Sequence, residues 1–102
     1  MKRLYVLIRN DLPSAVQAVQ AGHAVAKWAL SDGEKDHRWG NEVLVYLKSD
    51  NEKALLTTAE LLDLFGITPE IWREPDLENQ ATAMAVCHPS AQSFFKKFPL
   101  LR

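Results

Sequence analysis

The chain has 102 residues, with 12 Lys and Arg against 13 Asp and Glu, 47% hydrophobic and 25% charged residues; that composition belongs to an ordinary folded domain and excludes disordered, collagen-like and coiled-coil chains. A chain of this length buries roughly two-thirds of the surface it exposes when unfolded, enough for one core and so for a single domain over residues 1–102. No apolar stretch approaches the ~20 residues needed to cross a bilayer, and the apolar run near the start meets Arg9 and Asp11 too soon for a signal peptide, so a cytoplasmic location and no membrane partner are expected.

The near-neutral total hides an uneven distribution. Residues 1–10 carry Lys2, Arg3 and Arg9, and residues 91–102 carry Lys96, Lys97 and Arg102, with no acid in either segment, so the ends total +6 and the middle −7. If the fold joins the ends they form a basic patch suited to a polyanion; otherwise they are solvated flanks of strands and helices, which is the reading taken.

The first strand is expected over residues 4–8, a continuous apolar run buried on both faces and followed by turn-forming Asn10, Asp11, Pro13 and Ser14. Ser14 and Gln17 have the spacing of a capping box, which starts a helix at Ser14 that runs to about Leu30. That helix is apolar around most of its circumference and leaves Gln17, Gln20, His23 and Lys27 as its polar stripe. Residues 31–41 are polar, contain Gly33, His37 and Gly40, and read as a loop or a short helical insertion. A second strand follows over 43–47, then a helix over about 51–65, capped by Asp50 and closed by Gly66. A third strand over 67–72 holds Pro69, which argues for a sheet edge or a late start, and a fourth spans 81–87. Pro89 and Ser90 end that strand and begin a short helix through Ala91, Phe94, Phe95 and Phe98. The order β-α-β-α-β-β-α describes a three-layer α/β/α sandwich around a four-stranded mixed sheet, with parallel neighbours where a helix intervenes and an antiparallel pair at the end.

The search for chemistry is mostly negative. Gly22, Gly33, Gly40 and Gly66 are too scattered for a phosphate loop, and one Cys with three His gives no zinc spacing, so no metal and no cofactor are expected. Cys87 has no internal disulfide partner and sits on an apolar strand, where a thiol is read as core. What remains is Gln20, His23 and Lys27 at i, i+3 and i+7 on one side of the first helix, near the turn Arg9 to Asp11 at the C-terminal end of the first strand. That is where open α/β sheets bind ligands. The plainer reading makes Gln20 and Lys27 solvent residues with His23 hydrogen-bonded beside them.

Arg9-Asn10-Asp11-Leu12, followed on the helix by Gln20-Ala21-Gly22-His23-Ala24, resembles the Arg-x-Asp-Leu and Gln-x-x-His-Ala motifs of type 2 peptidyl-tRNA hydrolases. The likeness covers nearly the whole chain, through Ile71-Trp72-Arg73-Glu74-Pro75, Glu78-Asn79, Ala81-Thr82 and the ending Phe95-Lys96-Lys97-Phe98-Pro99-Leu100-Leu101-Arg102. It is greatest to the divergent branch called peptidyl-tRNA hydrolase domain-containing proteins. The resemblance implies a mixed sheet with helices on both faces, and cleavage of the ester joining a peptide to the terminal ribose of tRNA without metal or organic cofactor.

Such cleavage needs an activated water, donors for the tetrahedral oxyanion and cations for the tRNA phosphates. Carried over by matching motif, His23, Gln20, Asp11 and Thr82 are candidate catalytic residues, and Glu74 or Asp76 stands in for the family acid as a further one. Arg9, Lys27 and Arg73 are the candidates for phosphate contact. The lysine regarded as catalytic in typical members has Val16 in its place here, and residues 73–79 replace the family's Asp-Ala-Gly-Arg-Thr loop. The resemblance therefore implies an esterase with a rearranged site, or a non-catalytic module binding tRNA, other RNA or protein on the same fold; a hydrolase of another small ester or amide is a third reading. Trp39, Trp72, Phe94, Phe95 and Phe98 can serve as core or as a homodimer interface, and core is the reading taken.

Overall fold

In the computed structural model, which describes residues 1–31 and 38–101, the apolar run near the start is β1 (Arg3–Arg9) and both its faces are covered. Strand alternation sends Leu4, Val6 and Ile8 to one side, where they meet Ala21 and Ala24 of α1 (Ser14–Leu30). Tyr5 and Leu7 go to the other, into a core built from Leu47 of β2 (Val43–Ser49), Leu55 and Leu62 of α2 (Glu52–Leu64), Met84 of β4 (Gln80–Val86), and Phe95 just beyond α3 (Ala91–Phe94). Leu4, Leu7, Ile8, Leu55 and Leu62 are fully buried, each contributing about 1.5–3 kcal/mol of transfer free energy.

With β3 (Glu70–Glu74), the strands stand in the order β2-β1-β4-β3; β1 runs parallel to β2 and antiparallel to β4, and β3 antiparallel to β4. This is the expected four-stranded mixed sheet between helical layers. One expectation fails: β2 and β3, joined through α2, are not parallel neighbours but lie at opposite edges. β4 takes the inner position because its Ala81–Val86 run is buried on both faces, whereas β3 carries Arg73 and starts only after Pro69, as an edge strand can.

The helix ends differ from the sequence reading in instructive ways. Pro13 is the N-cap of α1, its carbonyl accepting from Gln17 N–H at 2.9 Å, and no side chain caps that helix. The capping box does not form. The Gln17 amide is drawn instead to the turn, where Nε2 donates to Leu12 O at 2.6 Å and Asn10 O at 3.4 Å, carbonyls the turn leaves open. Asn51 rather than Asp50 caps α2, accepting from Ala54 N–H at 2.8 Å. Gly66 closes α2 at φ +75°, with Gly66 N–H on Asp63 O at 3.0 Å and Ile67 N–H on Leu62 O at 2.9 Å, a Schellman pattern sealed by buried Leu62 and Ile67.

Arg9 is buried at the far end of β1 from Lys2 and Arg3, so it does not join them in a basic patch. Arg102 and residues 32–37, with Gly33 and His37, lie outside the described residues. At the β2 edge, residues 99–101 lie antiparallel: Lys48 N–H donates to Pro99 O and Leu101 N–H to Tyr46 O, both at 3.0 Å. Trp39 and Trp72 pack as partly buried rings against the core under α1, and Phe94 and Phe98 against that under α2.

Candidate functional site

The site begins with an irregularity in the sheet. Trp72 pairs with Ala83 and Arg73 with Ala81, so one step on β3 spans two on β4 and Thr82 is the extra residue of a bulge. Regular alternation would put Thr82 on the α2 side, opposite Ala83. The bulge lets it face α1, where Thr82 Oγ1 donates to Gln20 Oε1 at 2.6 Å. Gln20 Nε2 then donates to Glu74 Oε1 at 3.0 Å, and Glu74 Oε2 accepts the Asp76 backbone N–H at 3.3 Å. All three side chains are buried: Thr82 is 0% exposed, Gln20 3% and Glu74 9%.

The chemistry of the groups fixes the direction of this chain. An ionised carboxylate only accepts, so Gln20 must turn its NH2 to Glu74 and its carbonyl oxygen to the Thr82 hydroxyl. The Gln20 bond, then the Asp76 N–H, hold the Glu74 carboxyl below the usual carboxylate range against the opposing effect of burial; the nearby Trp72 indole and the His23 ring add to the lowering. The buried Trp72 Nε1 makes no hydrogen bond among the described residues, so its influence on Glu74 is that of a nearby dipole rather than of a formed bond.

His23, one turn beyond Gln20, is exposed and lies flat on Trp72, ring centroids 4.4 Å apart and planes 14° from parallel. The sequence reading missed Trp72, although its i, i+2 spacing to Glu74 on β3 was the available signal. Lys27 Nζ donates to Ile71 O at 2.7 Å. His23, Lys27 and Trp72, with Ala26, Leu30 and Glu70, line an open groove of about 540 Å³. The polar stripe of α1 thus divides: Gln20 faces inward, while His23 and Lys27 face solvent, as do the apolar Ala15, Ala18, Ala26 and Leu30.

Across the sheet, at the same end, stands a second cluster. Arg9 Nε and Nη2 hold the two Asp11 oxygens at 3.0 and 2.9 Å, while Nη1 donates to Gln80 Oε1 at 2.9 Å and Ala81 O at 3.2 Å. The reciprocal hydrogen bonds raise the Arg9 pKa and lower that of Asp11. Ala81 N–H donates to Glu52 Oε2 at 2.7 Å. Gln80 and Glu52 carry no local sequence pattern that would mark them. Arg73 is exposed with Nη1 on Asn79 O at 3.2 Å, and Asp76 joins the site through its backbone alone. Of the two acids considered in the sequence, Glu74 is therefore the one whose carboxylate is in the network. Val16, half-buried one turn before Gln20, lies on the same side of α1.

Among the described residues no group of three His, Cys, Asp or Glu is placed to hold a metal, and no helix is long and apolar enough to cross a membrane. Cys87, half-buried just past β4, is at the other end of the sheet, and burial pushes its thiol pKa up.

No family model matches the sequence, and no curated protein matches it. The fold does have solved counterparts. A structure from Agrobacterium tumefaciens strain C58, titled as the protein of unknown function Atu0240, matches over 99% of this chain and 98% of its own with a TM-score of 0.73 at 16% identity. At that identity the likeness establishes the shared α/β fold alone.

Proposed function

We propose that the chain is an esterase of the type 2 peptidyl-tRNA hydrolase kind, cleaving the ester between a peptide and the terminal ribose of tRNA, and so working in the cytoplasm. The observation that supports this most is the buried Thr82, Gln20, Glu74 chain with His23 exposed beside it and coupled to the Glu74 charge. Gln20, His23 and Thr82 are residues that match the family resemblance and Glu74 is a candidate for its acid, and the four come from α1, β3 and β4.

In this reading His23 takes a proton from water as the water oxygen bonds to the ester carbonyl carbon, and the carbonyl π pair moves to its oxygen. Glu74 offsets the charge gained by the imidazole, and Gln20 holds the Glu74 carboxylate in place. When the tetrahedral intermediate collapses, the bond to the ribose oxygen breaks and that oxygen takes the proton back from His23. Arg9 holds the turn rather than the substrate, and the exposed Arg73 supplies a cation for phosphate.

One observation favours the second reading, a tRNA- or protein-binding module without catalysis. Val16 stands where the family has its lysine, and Lys27 and Arg73 are hydrogen-bonded to backbone carbonyls rather than to Glu74. Losing such an electrostatic contribution typically costs ~100 to 1,000-fold in rate. The deciding experiment is release of peptide from N-blocked aminoacyl-tRNA at low salt by wild type, His23→Ala and Val16→Lys. The esterase reading expects release that falls about 100-fold or more in His23→Ala. No release by wild type, with a gain in Val16→Lys, supports the binding module.

A further inference from the structure

The groove between α1 and β3 has no role in the chemistry just described, yet it shares His23 and Trp72 with the site. An ester of this kind has two unlike halves, a polyanionic RNA and a peptide, and the groove suits only one. Its walls are Ala26, Leu30 and the Trp72 ring, with Leu30 85% exposed and so unsatisfied as an apolar surface. Its charges, Lys27 and Glu70, cancel, and Glu74 lies next to it on β3. RNA affinity rests on cations meeting phosphates, and here the one lysine is offset by Glu70. A neutral peptide would meet an apolar wall, a flat aromatic pair, and on the edge strand the Ile71 carbonyl, an acceptor now held by Lys27.

Resting on the esterase reading, we infer that the α1–β3 groove binds the acyl half of the substrate and receives the side chain of the residue next to the scissile ester, with preference for a large apolar one. The groove makes the protein selective for what the tRNA carries, whereas the RNA half lies on the other side of His23. Because the groove is open to solvent, an aromatic side chain gains only part of its full transfer free energy, about tenfold in affinity over glycine.

The test has a binding arm and a turnover arm. In the first, the full chain is titrated with N-acetyl-phenylalaninamide, N-acetyl-glycinamide or the trinucleotide CCA while backbone and indole N–H resonances are followed. The inference expects the phenylalanine probe to shift His23, Ala26, Leu30 and the Trp72 indole at a Kd about tenfold below that of the glycine probe. It also expects Ala26→Arg and, independently, Leu30→Glu to abolish the difference; both positions are exposed, so both variants are expected to fold. Equal affinities, shifts elsewhere, or CCA shifting the same resonances would overturn it. In the second arm, release from N-acetyl-Phe-tRNA and N-acetyl-Gly-tRNA is compared in wild type and Ala26→Arg. Release without a Phe preference that Ala26→Arg removes defeats the groove and leaves the esterase standing. Absence of release from either substrate defeats the esterase, and the binding arm then still decides the groove.

Discussion

Two polar clusters occupy the same end of the sheet on opposite faces, and they are built to different ends. Under α2, Arg9 spends its donors on Asp11, Gln80 and the Ala81 carbonyl, and Glu52 takes the Ala81 N–H. The groups satisfy one another, as in a structural clasp joining β1, the following turn and β4. Under α1, the Thr82, Gln20, Glu74 chain also satisfies itself, but one turn along α1 the exposed His23 stacks on Trp72 at the mouth of an open groove. The first cluster closes a structure; the second stands beside an exposed imidazole and a groove open to solvent. The contrast warns against reading function from motif membership alone, since Arg9 and Asp11 match the family motif as well as Gln20 and His23 do.

The contrast can be broken by substitution. The largest stability loss is expected for Arg9→Met, about 3 kcal/mol by urea unfolding, because Gln80 and the buried Ala81 carbonyl lose their donor and the exposed Asp11 its ion pair. A loss under about 1 kcal/mol would mean the clasp holds nothing. Gln20→Leu is expected to cost less, about 1–2 kcal/mol, chiefly by stranding the buried Thr82 hydroxyl.

The same variant tests pH dependence. Glu74 has its pKa lowered by folding, so its contribution is fully present above the unfolded carboxylate value of about 4.3 and is lost as pH falls through the folded value. Removing Gln20 removes the main cause of the lowering. The stability gap between wild type and Gln20→Leu should therefore be widest near neutral pH and narrow below about pH 4; a gap that widens on acidification would contradict the assignment.

Two smaller effects lie outside both clusters and calibrate them. Gly66→Ala should destabilise by about 1 kcal/mol, because φ +75° is strained for any residue with a Cβ. Glu78→Gly should be the smallest change and of opposite sign, a gain of about 0.5 kcal/mol at φ 56° in the turn leading into β4. Thermal melts of both variants check these signs.

Much of this architecture can be read from local pattern. The apolar run of β1, the helix that begins at Ser14, the Gly66 stop and the edge position of the strand after Pro69 each follow from a local cause. Other features have no local cause. The competition for Gln17 between a cap and the turn carbonyls is decided by where Pro13 puts the backbone. The inner place of β4 is decided by burial on two faces at once. Within the site, the i, i+3 spacing brings Gln20 and His23 to one side of α1, yet hydropathy makes Gln20 look like a solvent residue in a helix of alanines. Its burial follows only from the bulge that lets Thr82 face it, and a register shift between β3 and β4 leaves no trace in either strand's own residues. The pairing of Arg9 with Gln80, 71 positions away, is likewise a product of the sheet order.

The central claim is that the cluster under α1 is functional and the one under α2 structural. The most direct measurement compares peptide release from N-blocked aminoacyl-tRNA by Glu74→Gln and Arg9→Met, both assayed well below their melting temperatures. Glu74→Gln keeps one oxygen to accept from Gln20 but loses the charge and the acceptor of the Asp76 N–H, so kcat should fall about 100-fold with a smaller stability loss than Arg9→Met; Arg9→Met should melt early yet release peptide at close to the wild-type kcat. Full activity in Glu74→Gln with loss in folded Arg9→Met would reverse the assignment.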